Sequence, residues 1–163
     1  MASYRMRQTW IRLGNSFKIT NAADDSPIAR VTGKVFRFRS TSVIRDADGS
    51  ELATVREVLL AIDRTTTIER GGVEIARMQR VDPNSRRSRY VVDVKDQPAL
   101  RVADNGFMEF RISRGDTCIA TSTKPRVGFL KQWDITMSDD EDRALILAVC
   151  VAIDQNETGG SDD

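Results

Sequence analysis

The chain has 163 residues, 40% apolar and 30% charged, with 25 basic against 24 acidic side chains and a net charge of +1. That composition supports one packed core and excludes a disordered chain or a histone-like nucleic-acid binder. There is no histidine, which removes the Ser-His-Asp triad, the Cys-His dyad, His-ligated zinc and His acid–base catalysis.

The opening residues carry positive charge with no apolar run behind them, so no signal peptide is expected. No stretch reaches the roughly 18 apolar residues of a membrane-spanning helix. A cytoplasmic setting is the expectation, with Cys118 and Cys150 as thiols. Two cysteines are too few for a four-thiolate metal site or a disulfide framework.

From Phe17 to Met137 short alternating runs are broken by turn residues. Phe36-Arg37-Phe38-Arg39 alternates apolar and basic side chains. Tyr90, Val92 and Val94 share one face against Asp93 and Lys95. Met108-Glu109-Phe110-Arg111-Ile112 and Trp133-Asp134-Ile135-Thr136-Met137 repeat the pattern, which is that of a half-buried strand. Turns fall at Asp46-Ala47-Asp48-Gly49, Gly71-Gly72, Asp104-Asn105-Gly106 and Arg114-Gly115-Asp116. About twelve antiparallel strands fit between residues 4 and 137. A weak repeat runs through them at Ile44–Ala53, Ile68–Ala76 and Ile112–Ala120. Each copy is an apolar strand end, a glycine turn, then an apolar residue followed by Ala. Recurrent hairpin chemistry explains it better than a solenoid.

After Met137 the pattern changes. Ser138-Asp139-Asp140-Glu141 reads as a capping box, with Ser138 as N-cap. Ala144 to Ile153 then contains no polar residue, so that run of the helix expected from about 140 to 154 is apolar all the way round. Ten residues rise only about 15 Å, half a bilayer core. Such a helix needs a wrapper, and closing the strand meander around it also removes the sheet edges. The expected fold is mostly β: a closed antiparallel barrel of about twelve strands wrapped around a buried C-terminal helix. Residues 4–156 form that single domain, and residues 157–163 read as a disordered acidic tail.

The order of short motifs resembles the LURP-one-related family of the tubby C-terminal-like fold, which is similar to the phospholipid scramblase domain. The resemblance spans about residues 4 to 154. It rests on Tyr4-x-Met6-x-Gln8-x-Trp10, Phe17-x-Ile19, Val31-x-Gly33-Lys34-x-Phe36, Ile44-x-Asp46 with Gly49-x-Glu51-Leu52, and Leu145 to Asp154. It implies a twelve-stranded barrel around a hydrophobic helix. It also implies phosphoinositide-type headgroup binding through basic side chains, as in tubby domains. The chain lacks the scramblase relatives' Pro-rich extension, palmitoylation cysteines and a Ca²⁺ loop, which counts against calcium-activated scrambling.

Several clusters have simpler explanations than a site. Asp139, Asp140, Glu141 and Asp142 are accounted for by helix-start charge, so no metal is expected. Asp24-Asp25 fits loop solvation. Gly-x-x-x-x-Gly-Lys and Gly-x-Gly-x-x-Gly are both absent. No cofactor and no catalytic residues are expected, and the chain is not read as an enzyme. Basic groups remain as candidates for lipid or anion binding: Arg37 and Arg39 on one strand face, Lys34 two or three residues upstream of them, and Arg86, Arg87 and Arg89 in a loop. Guanidinium forks suit phosphate. Arg37 and Arg39, about 6 to 7 Å apart on a strand, are the favoured pair. The expected function is therefore peripheral binding of anionic phospholipid or another phosphorylated ligand, and the alternative is a protein-interaction scaffold. Expected partners are a membrane surface or a protein, with no nucleic acid, and oligomeric state is left open.

Overall fold

The computed structural model describes residues 1–9, 16–36, 39–58, 65–125 and 131–158. Twelve strands precede one helix: β1 (Ala2–Gln8), β2 (Ser16–Asn21), β3 (Pro27–Phe36), β4 (Arg39–Asp46), β5 (Glu51–Val58), β6 (Thr65–Arg70), β7 (Val73–Arg80), β8 (Arg89–Val94), β9 (Leu100–Asp104), β10 (Glu109–Arg114), β11 (Thr117–Thr123), β12 (Gln132–Met137) and α1 (Arg143–Thr158). Each strand pairs antiparallel with the next, and β1 pairs with β12 to close the ring. Alternation decides what faces inward. On β12, Trp133, Ile135 and Met137 are buried while Gln132, Asp134 and Thr136 are half-buried. The expected closed barrel is therefore observed, with an apolar inside and charged strand residues such as Lys18, Arg30, Arg56 and Arg111 outside. That arrangement is the inverse of a membrane barrel, and among the described residues no helix is long and apolar enough to cross a membrane.

The weak sequence repeat has a structural cause. Ile44 pairs with Ala53, Ile68 with Ala76 and Ile112 with Ala120, and in each hairpin a register shift follows the isoleucine. A fourth copy, not apparent in the sequence, pairs Ile19 with Ala29 across β2 and β3, with the same shift after Ile19. The bulge strengthens local twist, and the large–small pair lets each hairpin curve around the helix without overfilling the core. The four hairpins share one end of the barrel, where the turns are tight; Gly49 and Gly115 adopt positive φ there (87° and 59°). The opposite, long-loop end carries the β7–β8 and β9–β10 connections.

Helix α1 threads the barrel from the tight-turn end to the long-loop end. Every residue from Leu145 to Ile153 is at most 2% exposed, so this stretch of the helix has no solvent face. Its start differs from the expected capping box. Asp142 is the N-cap: its Oδ1 accepts the Leu145 N–H at 3.3 Å and its carbonyl accepts the Ile146 N–H at 3.0 Å. Ser138 instead closes a preceding turn, its carbonyl accepting the Glu141 N–H at 3.3 Å. The acids are held by the barrel rather than by the helix alone. Arg114 donates to Glu141 at 2.9 Å, and Arg70 reaches both Asp142 oxygens at 3.0 and 2.9 Å. The helix also continues through Glu157 and Thr158, where the disordered tail is expected to begin. The other tail residues, 159–163, lie outside the described residues.

Both cysteines are free thiols. Burial pushes the Cys150 thiol up to about 12, while Cys118 is partly exposed. The neutral Cys150 contribution to stability is complete below the ordinary thiol value of 9.0 and is lost as pH rises toward about 12. A thiol-specific reagent at neutral pH is expected to titrate one cysteine in the native protein and both in denaturant. Two fast thiols in the native state would contradict an enclosed helix.

Candidate functional site

At the long-loop end, two connections lie side by side because the strands that carry them are paired. Arg89 opposes Ala103 in the β8–β9 ladder, and the Asp104 N–H donates to the Ser88 carbonyl at 3.0 Å. The 105–108 loop is fixed by its own polar side chains. Asp104 Oδ1 accepts the Gly106 N–H at 2.8 Å, and Asn105 Oδ1 accepts the Phe107 N–H at 3.0 Å. The Lys124 N–H donates to the Met108 carbonyl at 2.9 Å. Met108 itself takes a left-handed φ of 59°, uncommon for a residue with a side chain.

The fixed tip presents apolar side chains to solvent. Phe107 is 69% exposed and Met108 39%, and Val81 on the neighbouring 81–88 loop is 45% exposed. The Arg87 guanidinium lies over Gly106, so a Cβ there would meet it at 3.5 Å. Arg86 and Arg89 are exposed beside it. Below the tip, Arg101 and Arg111 point outward from β9 and β10, with Arg111 opposing Ala103, the same residue that opposes Arg89. Among the described residues none of these five arginines forms an ion pair. The nearby carboxylates Asp82 and Asp104 are engaged by backbone N–H groups of their own turns.

The structure thus brings Arg86, Arg87 and Arg89 together. Lys34 is exposed on β3, five strands away around the ring, and does not join them. Arg37 lies outside the described residues, as does the Arg39 side chain, although Arg39 opens β4 opposite Phe36. The apolar tip is hidden in the sequence for a definite reason. Alternation with Phe110 and Ile112 assigned Met108 to the core face, whereas β10 begins at Glu109 and the left-handed φ turns Met108 out. The available signal was the Asp104-Asn105-Gly106 turn running straight into two large apolar residues.

A second polar cluster is internal and anchors the end of α1. Trp133 Nε1 donates to Asp154 Oδ1 at 3.0 Å, and Lys131 Nζ stands 4.0 Å from the same oxygen. Burial pushes the Asp154 carboxyl above its ordinary range, and Lys131 and the indole pull it partly back. Tyr90 donates its hydroxyl to Glu157, Gln155 donates to Ser42, and Asn156 donates to Thr66 at 3.0 Å. Burial, then the Glu157 contact, raises the Tyr90 phenol above its ordinary value. These bonds fasten the last helical turns to β4, β6, β8 and β12.

A closed twelve-stranded antiparallel barrel filled by a C-terminal apolar helix is a barrel domain of the tubby-like kind. A family model described as LURP-one-related matches residues 3–154, and the chain belongs to that family. No curated protein matches the chain.

Proposed function

We propose that this barrel is a non-catalytic module that docks peripherally on anionic phospholipid through its long-loop end. The observation that carries the reading is the rigid tip, with Phe107 and Met108 held in solvent beside Arg87. An apolar body at a loop tip gains by entering the interfacial region of a bilayer, and adjacent guanidinium groups gain from anionic headgroups at about 1 kcal/mol each. Because the net charge is only +1, attraction comes from this local patch rather than from the whole molecule. The likeness to tubby domains points the same way, since it implies headgroup binding through basic side chains. A cytoplasmic protein visiting a membrane surface fits this reading.

Flotation with phosphatidylcholine vesicles, with and without phosphatidylserine, tests it. Wild type is expected to float only with the anionic vesicles. Arg86→Glu/Arg87→Glu should cut binding at least about tenfold at low salt and Phe107→Ser/Met108→Ser should cut the part that survives high salt. Arg37→Glu/Arg39→Glu, made in parallel, reports whether that pair contributes. A wild type that ignores anionic vesicles overturns the lipid reading, and the exposed tip then serves the alternative, a protein-docking scaffold.

A further inference from the structure

The four Ile–Ala hairpins allow equivalent outer positions to be compared, and one pair differs sharply in charge. Arg77 follows Ala76 on β7, and Arg30 follows Ala29 on β3. Arg77 is neutralised: its Nε and Nη2 donate to the two Glu74 oxygens at 2.9 and 3.1 Å, and Asp93 opposes it on β8. Its guanidinium is held above the ordinary value, first by the Glu74 hydrogen bonds. Arg30 has the reverse surroundings. Lys18 opposes it on β2 and Arg45 opposes it on β4, and Arg7 on β1 opposes Lys18. The position equivalent to Glu74, three residues before the arginine, is Pro27.

Lys18, Arg30 and Arg45 are exposed, and among the described residues none of them is ion-paired. Like charges directly opposite across a sheet are destabilising. These three line a groove of about 380 Å³ with Pro27, Ala29, Thr32 and Asp46 among its other walls. The carboxylates nearby are engaged elsewhere. Asp46 Oδ1 accepts the Asp48 and Ser50 N–H groups, and Glu51, opposite Arg45, accepts from the Thr54 hydroxyl. The equivalent groove on β7 and β8, about 330 Å³, contains Glu74 and Asp93 as built-in anions. Among the described residues, the β2–β4 groove has three cations and no carboxylate bonded to any of them.

We infer that the β2–β4 groove binds an external anion with two adjacent phosphate groups, held by Lys18, Arg30 and Arg45 in place of the clamp that Glu74 provides for Arg77. Three cations at successive strand spacings of about 4.8 Å span about 10 Å, a row suited to a diphosphate rather than to a lone monovalent anion. Charge-assisted hydrogen bonds and relief of the cross-strand repulsion act in the same direction. The ring places β3 six strands from β9, so this groove and the long-loop tip face different ways and are separately testable.

Calorimetric titration with inorganic pyrophosphate at low ionic strength tests the inference. Wild type is expected to bind, and pyrophosphate should raise its melting temperature. Arg30→Gln should weaken binding at least about tenfold without lowering the melting temperature of the free protein. Pro27→Glu, which supplies the missing internal carboxylate, should weaken it comparably, and Arg77→Gln should leave it unchanged. Phosphatidylcholine vesicles carrying diacylglycerol pyrophosphate distinguish a lipid-borne source from a soluble one: binding of pyrophosphate alone assigns a soluble ligand, and binding of both through Arg30 admits the lipid. Absence of binding by wild type to both probes overturns the inference, as does undiminished binding in Arg30→Gln and Pro27→Glu. Vesicle results with phosphatidylserine bear only on the long-loop tip.

Discussion

Replacing Leu147 by Asp is expected to abolish folding. The side chain is 0% exposed at the centre of α1, with strands on every side. Deleting a buried leucine costs about 3–5 kcal/mol, and an unpartnered polar group in its place adds about 2–7 kcal/mol. The total is comparable to the whole net stability of an ordinary domain, about 5–15 kcal/mol. The helix is also a large share of the core. Leu145, Ile146, Leu147, Val149, Val151 and Ile153 are all buried, and each contributes about 2 kcal/mol. A chain ending before Ala144 should therefore fail to fold as well, because the barrel would have nothing inside it. Leu147→Met conserves volume, should lose less than about 1.5 kcal/mol and should stay folded. Soluble yield, far-ultraviolet circular dichroism and a thermal melt read the outcome. A soluble Leu147→Asp protein with a cooperative melt would show that the helix is an appendage.

The helix was legible because ten consecutive apolar residues leave no alternative to complete burial, and the barrel was legible because only the strands could provide it. The capping residue was not. Ser138 and Asp142 both satisfy local N-cap chemistry, and the choice depends on Arg70 and Arg114, which only the closed ring brings to Asp142 and Glu141. The repeat was visible in three copies, yet its meaning, an Ile–Ala pair followed by a bulge, depends on register, which no single strand encodes. The same limit hid both surface features. Arg30 lies among cations only because β2 and β4 present Lys18 and Arg45 at its level. Phe107 and Met108 point outward only because one backbone angle is left-handed.

Trp133→Phe carries the second large effect, because Trp133 serves the core and the polar anchor together. It is 1% exposed, its ring centroid lies 5.9 Å from that of Phe110, and its N–H is bonded to Asp154. The substitution removes part of the ring volume and a donor to a buried carboxylate, for a loss of about 2–4 kcal/mol in a denaturant titration. The acid dependence of Asp154 separates the two contributions. Burial raises its folded-state value above 3.8, so the folded protein takes up a proton before the unfolded chain does. Stability contributed at this site therefore grows as pH falls through the window from that raised value to 3.8, the reverse of a salt-bridged carboxylate. Lys131 and Lys124 oppose the shift, so the window is narrower than burial alone would make it. Removing the indole donor should raise the Asp154 value further and widen the window. Trp133→Phe is thus expected to lose most stability near neutral pH and to recover part of it as pH falls through the raised Asp154 value, where the carboxyl takes up its proton. Asp154→Asn, which keeps an acceptor for the indole and carries no charge, should lack the site's acid-side gain. If the Trp133→Phe loss is the same at every pH, the indole acts through packing alone, and the Asp154 bond contributes nothing to holding the helix in the barrel.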